Sequence, residues 1–157
     1  MGFRERVKPI CPEPRTRDCS DEFTAKILKA IQGELNAICF YNKLLKKAKK
    51  KEDKRVIESI IADERTHCAY FECLYEQLTG KEPSCLCFSD SCAKPDSYCE
   101  GLEESALDEL ADSNFYRELA NDISDDEVQD KILFISYQES KHATKFTLLR
   151  ARCKKCH

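Results

Sequence analysis

Two copies of one acid and histidine pattern stand apart from the rest of this chain. A lone Glu is followed thirty residues later by Glu-x-x-His, first as Glu34 with Glu64 and His67, then as Glu109 with Glu139 and His142. Every member of the second copy lies 75 positions after its counterpart, and the same offset carries Phe40-Tyr41 onto Phe115-Tyr116 and Leu44 onto Leu119. Carboxylates and imidazoles are the side chains that bind divalent cations through oxygen and nitrogen. The repetition implies that two halves of one chain bring the same ligands to a shared centre.

These polar residues sit inside the apolar pattern. Ile57, Ile60, Glu64, His67, Phe71, Leu74 and Leu78 follow at steps of three and four, so the acid and the imidazole lie mid-stripe on a core-facing helix. Ile132, Ile135, Glu139, His142, Phe146 and Leu149 repeat the arrangement, and Glu34 stands between Ile31 and Ile38 with Tyr41 and Leu45 beyond. The segment around Glu109 is the least apolar of the four. Burying four carboxylates uncompensated would cost several kcal/mol each. Two divalent cations bring four positive charges against four carboxylates and two neutral imidazoles, so a dinuclear metal site balances the set. One Glu from each of two helices plus Glu-x-x-His from each of two others is the ligand set of carboxylate-bridged di-iron and di-manganese bundles.

On these residues the chain, over about 21–152, resembles the ferritin-like di-iron carboxylate superfamily, and within it the rubrerythrin branch. The resemblance implies an all-α, ferritin-like four-helix bundle holding two iron ions, or manganese in their place. It also implies a reaction with hydrogen peroxide or dioxygen as the irons cycle between ferrous and ferric, with electrons from an external donor such as a rubredoxin. Glu64 and Glu139 would bridge the metals, Glu34 and Glu109 would be terminal carboxylates, and His67 and His142 would each cap one metal. Tyr41, seven residues after the first Glu, matches a phenol that hydrogen-bonds a ligating carboxylate in the family. Asp112 stands where rubrerythrins carry a further Glu, so Tyr41 and Asp112 are the residues expected to shape reactivity. Asp63 falls off the apolar stripe and is expected at the surface. The rubredoxin-like module, with its two Cys-x-x-Cys pairs, is not matched, because only Cys153 and Cys156 have that spacing. Peroxide reduction is the expected activity. A ferroxidase, an oxygen-activating protein and a non-catalytic iron-trafficking protein are the alternatives, since one ligand set serves all of them.

The elements that must position these ligands are legible from breakers and caps. Only four Gly and five Pro interrupt 157 residues, leaving four long helical stretches near 21–50, 53–79, 102–123 and 125–152. Ser20 is a candidate first cap, and Ser124 with Glu127 a candidate capping box for the last helix. Residues 1–20 form a Cys- and Pro-containing extension, 21–152 the four-helix domain, and 153–157 a Cys-x-x-Cys-His tail. A crossover over 80–101, extended to about 70 Å, exceeds a helix of about 38 Å, so it can run back along the bundle. The same length permits exchange of helix pairs between two chains, and a homodimer is expected.

Net charge is −3 with acids and bases interspersed, which marks no nucleic-acid stripe. The Lys run from Lys46 to Lys54 reads as a solvated turn, with a docking patch for an acidic electron-transfer partner as the alternative. No apolar segment is long enough to span a membrane and no leader sequence is evident, so a cytoplasmic location is expected. Of eleven cysteines, Cys39, Cys68 and Cys73 are expected as small buried apolar residues within helices. Cys11, Cys19, Cys85, Cys87, Cys92, Cys99, Cys153 and Cys156 fall in irregular segments that the crossover topology gathers at the two ends of the bundle. Additional zinc or iron at such clusters, disulfides and free thiols are all open for them.

Overall fold

A computed structural model of the protein describes residues 21–83 and 92–153. These form four α-helices with no strand among them: α1 (Asp21–Lys47), α2 (Lys51–Thr79), α3 (Tyr98–Asn121) and α4 (Asp126–Ala151). The expected all-α bundle is the observed fold, with the starts of α2, α3 and α4 revised by one to four residues. α3 begins at Tyr98 because extended Ser97 turns its side chain to accept the Glu100 N–H. α4 is capped by Asp125, whose carboxylate accepts the N–H groups of Glu127 and Val128 at 3.1 Å, so the expected Ser124 and Glu127 box is corrected. Gly80 ends α2 in the left-handed region at φ 69°, donating its N–H to the Glu76 carbonyl. The expected cap Ser20 lies outside the described residues.

α1 packs along α2 and α3 along α4, and the two hairpins meet through α1 with α3 and α2 with α4. Contacts at the helix ends fix the directions. Lys26 near the start of α1 reaches Asp122 past the end of α3, whereas Tyr98 at the start of α3 donates to Asp53 at the start of α2. α1 therefore runs antiparallel to α3, and α2 runs parallel to it, which is the crossover topology of ferritin-like bundles. No described helix is long and apolar enough to cross a membrane.

The core runs the length of the bundle, with Ile27, Ile60, Phe71, Leu102, Ile132 and Phe146 fully buried. Each such side chain contributes about 1.5–3 kcal/mol on leaving water. Where the crossover passes under α1, Gly101 permits the approach: a Cβ there would lie 2.6 Å from the Pro95 ring and 2.7 Å from Leu44. Gly101→Ala should therefore lower stability by about 1–3 kcal/mol through overpacking, even though Ala is the better helix former. Urea unfolding reads this directly, and a more stable variant would show that the contact gives way freely.

The cysteines depart from expectation. Cys39 is bonded to Cys92 with Cα atoms 6.2 Å apart, which ties α1 to the end of the crossover. Cys99 is bonded to Cys153, 5.8 Å between Cα atoms, joining the start of α3 to the end of α4. Cys73 is disulfide-bonded as well. Cys39 and Cys73 are thus not the simple buried thiols expected, whereas Cys68 is, and burial pushes its thiol up to about 12, which makes it a poor nucleophile. The crossover's finish does meet the C-terminal tail, through Cys99 and Cys153, and of the three alternatives open for the peripheral cysteines, Cys92, Cys99 and Cys153 take the disulfide. Cys11, Cys19, Cys85, Cys87 and Cys156 lie outside the described residues.

Candidate metal centre

The six repeated residues converge in the middle of the bundle, one helix supplying each Glu or Glu-x-x-His set, and none is more than 3% exposed. They form two overlapping groups. Glu34, Glu64, His67 and Glu139 bring one ligand atom each within 4.8 Å of one another, and so do Glu64, Glu109, Glu139 and His142. Glu64 and Glu139 belong to both groups, which is the arrangement two bridging carboxylates require. The imidazole rings face each other with centroids 5.9 Å apart.

The orientation of each imidazole shows what the centre is built to hold. His67 Nε2 faces Gln138 Oε1 at 3.1 Å and His142 Nε2 faces Asp63 Oδ2 at 2.9 Å. A hydrogen on Nε2 satisfies these acceptors and leaves Nδ1 of each ring aimed at carboxylate oxygens. His67 Nδ1 lies 3.0 Å from Glu64 Oε2, 2.9 Å from Glu139 Oε1 and 3.9 Å from Glu34 Oε1. His142 Nδ1 lies 2.9 Å from Glu64 Oε1, 3.0 Å from Glu139 Oε2 and 3.6 Å from Glu109 Oε2. One ring nitrogen can satisfy one of those oxygens. Glu64 Oε1 and Glu139 Oε1 are left buried without an aligned hydrogen bond, although each is 2.9 Å from an imidazole nitrogen. A lone pair amid carboxylates is repulsive unless a proton or a cation stands between them, so the donor set fits a pair of metal ions.

Without metal, protons take that place. Burial lowers the basicity of His67, but hydrogen bonds to Glu139 and Glu64 raise it to about 11, and His142 is raised in the same way by Glu109, Glu139 and Glu64. Burial also pushes Glu64 up, yet the hydrogen bonds from His142 and His67 hold it at about 2. Glu34 and Glu109 are held well above the usual carboxylate range, first by burial and then by the neighbouring acids. The centre therefore stores charge-compensating protons that a metal must displace.

The surrounding contacts obey the repeat and cross between halves. Tyr41 donates to Glu109 Oε1 at 2.7 Å, as the resemblance implied, and Tyr116 donates to Glu34 Oε1 at 2.6 Å. Asp63 and Gln138 are also repeat partners, each preceding a shared Glu, and each reaches the histidine of the other half. Asp63 is at the surface as expected, with its side chain 37% exposed, but its Oδ2 also orients His142, a contact that the stripe pattern did not reveal. The 75-residue offset that found the ligands and paired Tyr116 with Tyr41 also picks out Gln138, which sequence reasoning passed over. Asp112 stands outside both ligand groups, half-buried, with its carboxyl raised to about 7 by burial and then by Glu139, Asp108 and Glu64. Removing the acceptor in Asp63→Ala should weaken metal binding by about 10–100-fold, as losses of such orienting groups do. Competition with a chromophoric chelator measures it, and an unchanged affinity would reduce the Asp63 contact to a surface hydrogen bond.

Comparison with known proteins agrees with this geometry. A family model described as Rubrerythrin matches residues 26–87, which hold the first copy of the ligand pattern. The chain is 33% identical over 120 residues to the "Uncharacterized protein YhjR" of Bacillus subtilis (strain 168), a match covering 75% of this chain and 79% of that relative. No solved structure matches it with significance. On the helix order, the convergent ligand groups and these matches, the chain belongs to the rubrerythrin family of ferritin-like proteins.

Proposed function

We propose that this protein is a di-iron oxidoreductase that reduces hydrogen peroxide with electrons from an external donor such as a rubredoxin. The observation that carries the reading is the pair of buried ligand groups sharing Glu64 and Glu139. Glu34 and His67 would complete one iron's protein ligands, and Glu109 and His142 the other's. When bound, a ferrous pair supplies the two electrons that peroxide reduction needs. The protein's own part is to position and to handle protons. Tyr41 and Tyr116 each fix a terminal carboxylate by one short hydrogen bond, so Glu109 and Glu34 are held in orientation as charge at the centre changes. Asp112, half-buried and outside both ligand groups, would offer a carboxyl near the centre that can pass protons, and reducing peroxide to two waters consumes two protons.

A ferroxidase is the second reading, favoured by the position of Asp112 outside both ligand groups. Stopped-flow oxidation of the ferrous protein by peroxide and by dioxygen, followed by turnover with reduced rubredoxin, separates the two. Peroxide should react faster and turnover should be sustained, whereas a faster dioxygen reaction without turnover would favour the ferroxidase. Asp112→Ala should keep two metals and slow the peroxide reaction by about tenfold, equivalent to about 1.4 kcal/mol of transition-state stabilisation. Unchanged kinetics would remove Asp112 from the chemistry.

A further inference from the structure

The six ligands are sealed from solvent, yet a cavity of about 460 Å³ opens between α1 and α3 and reaches inward to Tyr41, the residue whose hydroxyl holds Glu109. Its width comes from small side chains on facing helices, Gly33 and Ala37 on α1 and Ala111 on α3. Gly33 is the informative one. Glycine in a helix interior costs about 1 kcal/mol relative to Ala, and here a Cβ would meet nothing within 4 Å, so packing does not require the missing side chain. What a larger residue would remove is open space in the cleft.

The charged residues lining it are all acidic, with the Lys43 ammonium at its lip. Glu104, Asp108 and Asp112 follow at steps of four on α3, exposed at the first two and half-buried at the third. Asp112 interacts electrostatically with Glu139 and Glu64 of the centre, with Asp108, and with Lys29, whose charge opposes theirs. Cys92 and Ala93 form the lip, held to α1 by the Cys39 disulfide and by Lys43 Nζ donating to the Cys92 carbonyl at 2.7 Å.

We propose that this cleft is the passage by which a divalent cation reaches the buried centre, with Gly33 and Ala37 keeping it open and Glu104, Asp108 and Asp112 drawing the cation inward. The inference rests on the metal-centre reading above. Clefts lined by one sign of charge concentrate counter-ions and raise association rates, an effect that salt screens.

Cobalt(II) added to the metal-free full-length protein supplies the test, its uptake followed by visible absorption and its removal by an added chelator. Ala37→Phe and, independently, Gly33→Leu should slow uptake and removal by the same factor, about tenfold, and leave the dissociation constant unchanged, because a passage alters rates in both directions alike. Glu104→Gln with Asp108→Asn should slow uptake at low salt, with the difference from the natural protein vanishing as ionic strength rises. Wild-type rates in both filled variants would overturn the passage, as would a weakened dissociation constant with unchanged uptake, which would place the effect at the centre itself. A natural protein that takes up no cobalt would overturn the metal-centre reading, and the passage with it.

Discussion

Glu139→Gln should cost the protein both metals, whereas Glu34→Gln should cost one. Glu139 lies within both ligand groups and Glu34 within only the first, so the shared carboxylate serves two cations and the terminal one serves a single cation. Gln keeps the volume of Glu, so the core around Ile135 and Phe146 is not emptied, but it removes the charge that two cations share. We expect each site to weaken by about a hundredfold or more in Glu139→Gln, about 2.8 kcal/mol per site. In Glu34→Gln the site containing Glu109 and His142 should keep its affinity to within a few-fold. Calorimetric titration with metal analysis distinguishes these outcomes. Equal losses in the two variants would mean that the ligands do not divide into two overlapping groups.

The stabilities of metal-free and metal-loaded protein should respond to pH with opposite signs. Glu34 and Glu109 have folded-state pKa values raised above 4.5, so their favourable contribution is present below that value and lost as pH rises through the raised one. His67 behaves likewise from its ordinary 6.5 to about 11, because its imidazolium is held by Glu139 and Glu64. Glu64 has the reverse sign, but its window lies between about 2 and 4.5. Above the ordinary carboxylate range the metal-free protein should therefore become steadily less stable as pH rises. Metal binding requires those same groups without their protons and should release near neutrality at least the imidazolium protons of His67 and His142. Its affinity then grows with pH. At a hundredfold the dissociation constant each metal adds about 2.7 kcal/mol. The gap in melting temperature between the two forms should widen with pH, and calorimetry in buffers of different ionisation enthalpy counts the protons. A gap that narrows with pH, or no proton release, would contradict the stored-proton description of the centre.

Much of this protein is written locally. The period of a helix places Glu64, His67, Phe71 and Leu74 on one side of α2 whatever that helix packs against, so a carboxylate and an imidazole amid apolar residues announce a buried polar centre. The 75-residue repeat doubles the signal, and the rarity of Gly and Pro leaves four helices as the only elements that can carry it. Helix starts were less legible. Ser97 and Asp125 cap α3 and α4 because their backbones are extended and their side-chain oxygens meet free N–H groups, conditions that neighbouring Ser or Asp residues satisfy equally well on paper.

What the tertiary structure alone decided is the pairing across helices. Asp63 turns to His142 and Gln138 to His67, Tyr41 holds Glu109 while Tyr116 holds Glu34, and Cys39 meets Cys92 as Cys99 meets Cys153. Each contact joins residues more than fifty positions apart. Their meeting depends on how far one helix is rotated and slid against another, which is set by the packing of all four helices together. The cleft between α1 and α3 belongs to the same class. Gly33, Ala37 and Ala111 are ordinary small helix residues by themselves, and they become a cavity only because the two helices that carry them are placed face to face.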